Sequence, residues 1–400
     1  MKNHKDFAHR KLADEVYYVG VPDWDRRLFD ELVALPDGTS YNSYLIFGDE
    51  KTILVDTADP SKEKEYFANL NEFNLNKVDL IISNHAEQDH SGLIPEVLKK
   101  FPEAKVVTNS KGKDLLMTLL HIPEDKFLTV NDGDEINIGG KTLKFIFTPW
   151  VHWPETMSTF LVEDRILFSG DFFGSHRAAS HIFVEDNCKV LNDAKRYYAE
   201  IMMPFRNVLK NNIEKVKALN PAMIAPSHGP VYPEPDLIIN AYEEWVSAPP
   251  KNKASIIFAS MHGSVREMVD YLTKSLEELE VDVVQLNVIE KDAGYIAMEL
   301  VDTATVVFAA PYVLAGIHPW VASVAYFVNA LRPKVKFMSF MISYGWGGMG
   351  LEHLKTLTKN IQAELIEPIM VKGLPRKEDF DKIRKLAETI KQKHENIGLK

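Results

Sequence analysis

Asn84-His85-Ala86-Glu87-Gln88-Asp89-His90-Ser91-Gly92 presents four potential metal ligands within six residues, directly after the apolar run Leu80-Ile81-Ile82. Polar groups at that density, placed where a buried strand opens into a loop, need a metal ion to satisfy them once water is removed. Three other segments repeat the arrangement. Phe145-Ile146-Phe147 leads to His152, Ile166-Leu167-Phe168 to Asp171, and Met223-Ile224-Ala225 to His228. In layered α/β folds, ligands gather in loops at the carboxyl ends of strands, so these four loops are expected to converge. Together they offer four imidazoles and three carboxylates.

Outward from that loop, strand signals pair at Tyr41 to Phe47 and Lys51 to Asp56, and again at Lys141 to Thr148 and Thr159 to Val162. Helix-like stretches lie at Ser61 to Phe73 and Leu93 to Phe101. This implies an α/β sandwich with much antiparallel pairing over residues 1–247. The stretch from Ser247 to Lys253 holds Pro249-Pro250 among small and charged residues and reads as a linker, drawn at 248–253. Beyond it, apolar runs at Ala254 to Ser260, Val281 to Val288, Ala304 to Ala310, Val335 to Met341 and Leu365 to Val371 alternate with helical stretches. Those helices are expected at Val265 to Leu279, Pro319 to Leu331, Leu351 to Ile361 and Lys377 to His394. The alternation predicts a flavodoxin-like doubly wound parallel sheet over residues 254–400.

The chain has 400 residues, 46% of them hydrophobic and 26% charged, which excludes a disordered polymer. Its net charge of -11 repels phosphate backbones and anionic lipid, so neither nucleic acid nor a membrane is an expected partner. Cys188 is the only cysteine, which excludes an intrachain disulfide, a four-thiolate iron site and an all-cysteine iron-sulfur cluster. The N-terminal stretch is polar and no apolar run approaches 18 residues, so a cytoplasmic location is expected.

The ligand loop resembles that of the metallo-β-lactamase superfamily, whose usual form is His-x-His-x-Asp-His with zinc. Here Glu87 stands at the second histidine, and a hard carboxylate oxygen favours iron or manganese by ligand type. The resemblance extends to flavodiiron proteins through Thr39-Ser40-Tyr41-Asn42-Ser43-Tyr44, the string Thr148 to Met157, Phe168 to Gly174 and Ala225-Pro226-Ser227-His228-Gly229. It implies a metallo-β-lactamase-like αββα diiron domain followed by an FMN domain. It also implies His85, Glu87 and His152 on one iron, Asp89, His90 and His228 on the other, and Asp171 bridging. His176 and Tyr198 fall where members place groups around the metals.

The same resemblance implies FMN contacts in three loops. The first is Ser260-Met261-His262-Gly263-Ser264-Val265, a phosphate-binding position with Val265 where relatives carry threonine. The second is Pro311-Tyr312-Val313-Leu314-Ala315-Gly316, where relatives have Ser-Pro-Thr and asparagine. The third, Ser343-Tyr344-Gly345-Trp346-Gly347-Gly348, keeps the family form. The activity implied is reduction of dioxygen to water, nitric oxide to nitrous oxide, or both. Electrons would come from a rubredoxin or reduced F420, in a head-to-tail homodimer. The alternative is a zinc hydrolase of the same superfamily with a flavodoxin-like docking domain, against which Glu87 argues.

Overall fold

The computed structural model describes residues 10–400. The chain separates into two compact units, the first running to Val246 apart from Ala199–Pro204, the second comprising that short segment with Ser247–Lys400.

The first unit is built on two sheets. Seven strands lie in chain order from Lys11–Ala13 to Phe127–Thr129, and among them is β1 (Leu80–Ile82), parallel to both of its neighbours. The period of two sorts their side chains. Leu45, Leu54, Ile81 and Val106 face a layer of helices and pack on Tyr66, Leu70, Ile94, Val97 and Leu116. Tyr44, Ile46, Ile53, Val55, Leu80, Ile82 and Val107 face the other way, onto the second sheet. That sheet includes β2 (Thr142–Phe147), β3 (Met157–Leu161), β4 (Ile166–Gly170) and β5 (Met223–Pro226). It contributes Phe145, Met157, Leu161, Phe168 and Ala225 to the shared core. Strand β3 runs antiparallel to β2 and β4, and β5 is parallel to β4. The carboxyl ends of β2, β4 and β5 therefore open at one edge. This is the expected αββα sandwich.

The second unit holds β6 (Lys253–Phe258), β7 (Asp282–Asn287), β8 (Thr305–Val313), β9 (Gly316–Ile317), β10 (Phe337–Tyr344), β11 (Glu364–Leu365) and β12 (Ile369–Lys372). The parallel order is β7-β6-β8-β10, with β11 and β12 both on β10. Helices α1 (Ser264–Glu277), α2 (Ala293–Leu300), α3 (Pro319–Leu331), α4 (Gly350–Leu357) and α5 (Lys377–Asn396) complete the unit. Two separate cores cover the two faces, one with α1 and α5, the other with α2, α3 and α4. The doubly wound arrangement was expected, and three details differ from the sequence reading. The last apolar run splits into β11 and β12 around Pro368, whose nitrogen has no hydrogen to donate to a ladder. Helix α2 was missed, although Asp292 caps it by accepting from Tyr295 N at 3.0 Å. Strand β8 runs three residues past its expected end at Ala310 and folds back into β9. No helix among the described residues is long and apolar enough to cross a membrane.

Candidate functional site

Each of the seven metal-ligand candidates stands just beyond a strand end. His85 and Glu87 follow β1, and Asp89 and His90 lie in the short helix Gln88–Ser91. His152 follows β2, Asp171 follows β4 and His228 follows β5. A side chain at Gly229 would collide with Ser175, and its φ of 78° is left-handed, so only glycine lets the His228 turn lie this close to the Asp171 loop.

The donors fall into two groups. Nε2 of His85 and Nε2 of His152 are each 3.1 Å from Glu87 Oε2. Nε2 of His90 and Nε2 of His228 are 3.2 and 3.1 Å from Asp89 Oδ2. Asp171 faces both. Its Oδ2 is 3.2 Å from His152 and 3.6 Å from His85, while its Oδ1 is 2.9 Å from His90 and 3.7 Å from His228.

The chain also fixes which ring nitrogen is available. Glu155 Oε1 accepts from His85 Nδ1 at 2.8 Å, and the Ser40 carbonyl accepts from His228 Nδ1 at 2.7 Å. Both imidazoles thus turn Nε2 toward the carboxylates, as metal-binding histidines do. Asp56, pushed up to about 6 by burial, accepts from Asn84 N and Asn84 Nδ2 and so holds the start of the ligand loop.

Electrostatics favour a cation here. Burial would lower His90 and His152, yet Asp89, Asp171 and Glu87 outweigh it and hold both near 9. Burial would raise Asp171, yet His90, His152 and His85 hold it well below the usual carboxylate range.

The residues fit two metal ions. Both carboxylate oxygens of Asp89, both ring nitrogens of His90 and Nε2 of His228 are buried without a hydrogen bond among the described residues. His90 Nε2 approaches Asp171 Oδ1 to 2.9 Å without hydrogen-bond geometry. Buried donors and acceptors left this way are costly, and a shared cation satisfies all of them. The donor set suits iron better than zinc by its three hard oxygens.

Around the metals, Tyr197 takes the place expected for Tyr198. Its ring lies 4.8 Å from that of His176 and 5.9 Å from that of His228. Tyr198 turns away and donates to the Trp245 carbonyl at 3.3 Å. The His176 ring lies 4.8 Å from that of His228 at a tilt of 60°, and burial and that neighbour push it well below the usual histidine range, which favours its neutral form. Glu155 had no assigned role in the sequence reading. A carboxylate three residues after His152 carries no signal of its own that it reaches back to His85.

In the second unit the first loop opens α1 at Gly263, whose φ of 92° leaves open space above it. Met261 and His262 are exposed, and Ser260 Oγ accepts from Arg266 N at 3.2 Å. Ser264 and Ser343 join the first and third loops at 2.8 Å. Val265 does not belong to the loop surface. It is fully buried with Met268, Val269 and Leu272, the stripe expected three, four and seven residues along a helix. In the third loop Gly345 and Gly347 have open space beside them, Tyr344 is half-buried and Trp346 is 68% exposed, an approach a flat ring can use. The second loop is filled by its own chain, with Tyr312 packed on Gly348 and Gly350. Val313 lies at the end of β8 and Leu314 and Ala315 form the exposed tip.

Residues 39–229, which hold all seven ligand candidates, match the model of the ODP family beta lactamase. A coenzyme F420H(2) oxidase of Methanothermobacter marburgensis is 34% identical over 81% of this chain and 83% of its own length. A nitric oxide reductase of Moorella thermoacetica is 33% identical over 95% of this chain and 97% of its own. The flavodiiron protein of Giardia intestinalis superimposes with a TM-score of 0.89 at 26% identity, covering 96% of this chain and 98% of that one. With both units matched in order, and with paired ligand groups behind the first, the chain belongs to the flavodiiron protein family.

Proposed function

We propose that this chain is an oxidoreductase that reduces dioxygen to water, nitric oxide to nitrous oxide, or both, at two iron ions served by FMN. The observation that carries the reading is the orientation of Asp171, one oxygen toward each ligand group. In this reading His85, Glu87 and His152 would hold one iron and Asp89, His90 and His228 the other, with Asp171 placed to reach both. Residues 1–247 form the diiron domain, 254–400 the FMN domain and 248–253 the linker. When bound, two ferrous ions and a two-electron-reduced flavin supply the four electrons that dioxygen needs, while two nitric oxide molecules need only two.

The chain's own part is to position and to exclude water. Glu155 and the Ser40 carbonyl hold His85 and His228 in the tautomer that binds metal, and Ser227 donates to Asp171 Oδ1 at 2.7 Å, which fixes the bridge. Phe29, whose ring lies 4.7 Å from that of His176 and 5.8 Å from that of His228, helps keep the site dry, as does Tyr197. The names of relatives, among them a rubredoxin:oxygen oxidoreductase of Desulfovibrio gigas with a similar structure, support reduced F420 or rubredoxin as donor and dioxygen or nitric oxide as acceptor. A head-to-tail homodimer that sets the FMN of one copy beside the irons of the other, and a cytoplasmic location, complete the proposal.

The test is anaerobic purification followed by metal analysis, flavin absorbance and gas uptake. Iron with FMN and consumption of either gas is expected; zinc without flavin would contradict it.

A further inference from the structure

In a sheet of order β7-β6-β8-β10 the ligand crevice opens beyond the carboxyl ends of β6 and β8, where the chain winds off in opposite directions. One side of that crevice is filled by the protein itself. Strand β6 ends its pairing with β8 at Phe258 and Ala309, yet β8 continues to Val313 and turns back as β9, with Tyr312 opposite Ile317. The hairpin thus rises above the sheet edge, and its tip, Leu314, is 87% exposed.

Tyr312 lies down on the third loop. A methyl group on Gly350 would collide with its ring, and one on Gly348 would come within 2.9 Å of it. The Tyr344 ring is 5.8 Å away. Leu351 N donates to the Tyr312 hydroxyl and Met349 N to the Ala315 carbonyl, both at 3.3 Å. Those two bonds are long for their type and hold weakly. The turn itself places Leu314 and Ala315 at φ 52° and 60°, a conformation that two-residue hairpins fill far better with Asn-Gly. The phosphate end, from Ser260 to Ser264, is not covered by this contact.

We propose that the β8–β9 hairpin is a flap whose Tyr312 occupies the slot of the flavin ring, so that FMN binds only as the flap lifts. This rests on the FMN assignment above. Apparent affinity is then lowered by the fraction of molecules with the flap open. Two variants shift that fraction in opposite directions. Tyr312→Ser removes the ring from the slot. Leu314→Gly with Ala315→Gly gives the turn residues that accept a positive φ without adding a polar side chain, and holds the flap down.

The experiment is titration of flavin-stripped full-length protein with FMN, read by quenching of flavin fluorescence, with circular dichroism to confirm the fold. Tyr312→Ser should bind roughly tenfold tighter than the parent, and the turn variant several-fold weaker. Equal or weaker binding by Tyr312→Ser would make Tyr312 a wall of the site and overturn the flap. Binding indifferent to both variants would overturn it too, while leaving the FMN assignment standing. Folded proteins that all fail to bind FMN would overturn the assignment and the flap with it.

Discussion

Glu155 Oε1 accepts from Nδ1 of His85 at 2.8 Å, and the same oxygen accepts from Ala86 N at 3.0 Å. One buried carboxylate therefore sets both the tautomer of the first ligand candidate, His85, and the path of the loop that carries the next three. Glu155→Ala should weaken iron binding roughly 10- to 100-fold without removing a ligand. Competition with a graded chelator series measures this, and iron retention equal to the parent protein would refute the role.

Glu87 supplies the hard oxygen between His85 and His152. Glu87→His turns the loop into the zinc-type sequence, so protein grown with both metals should shift from iron toward zinc and lose at least roughly tenfold in gas-reducing turnover. Metal content by mass spectrometry with unchanged iron and full turnover would sink the argument about ligand type.

Val265 is buried among Met268, Val269 and Leu272, away from the loop surface. Val265→Thr, which restores the residue of the relatives, puts a hydroxyl in an apolar core and should cost about 1–2 kcal/mol of stability while leaving FMN affinity unchanged. Urea unfolding and FMN titration read the two effects separately. Tighter FMN binding by this variant would mean that the side chain turns outward.

His394 is buried in the second unit. Its Nδ1 donates to Asn252 Oδ1 at 2.8 Å, so Nε2 accepts from Thr305 Oγ1 at 2.7 Å and the ring is neutral. Burial and then Lys391 push it down to about 4. Between its unfolded value of about 6.5 and that folded value, the unfolded chain binds a proton the folded chain does not. Stability should hold above that window and fall as pH drops through it. Urea midpoints at intervals between neutral and acid pH, compared with His394→Gln, test this. The variant should be less stable at neutral pH and show a shallower acid decline; equal slopes would remove His394 from the account.

That the seven ligand candidates would come together was legible because polar groups crowd behind apolar strands, a pattern with few structural uses. Their supports were not. Tyr197 and Tyr198 are neighbours at a helix end, about 100° apart in direction, and only the packing decides which one meets His176. The first residue of the expected helix, Val265, was also placed at the phosphate loop, although the apolar spacing that follows it marks a buried stripe that takes its side chain inward. The extension of β8 was hidden because Pro311 interrupts the apolar run before Tyr312-Val313 and Leu314-Ala315 lacks turn residues. Helix α2 hid behind Gly294, which weakens a helical pattern that Asp292 then rescues by capping.

Asp171, with one oxygen toward each ligand group, is placed to join two iron ions into one unit. Electron paramagnetic resonance of the protein after one-electron oxidation of its diferrous form tests that directly, because irons sharing a bridge couple magnetically. The parent protein should give the signal of a coupled mixed-valence pair, and Asp171→Ala should lose it together with iron from both positions. A signal of isolated high-spin ferric iron in the parent, or two irons retained and still coupled in Asp171→Ala, would contradict it.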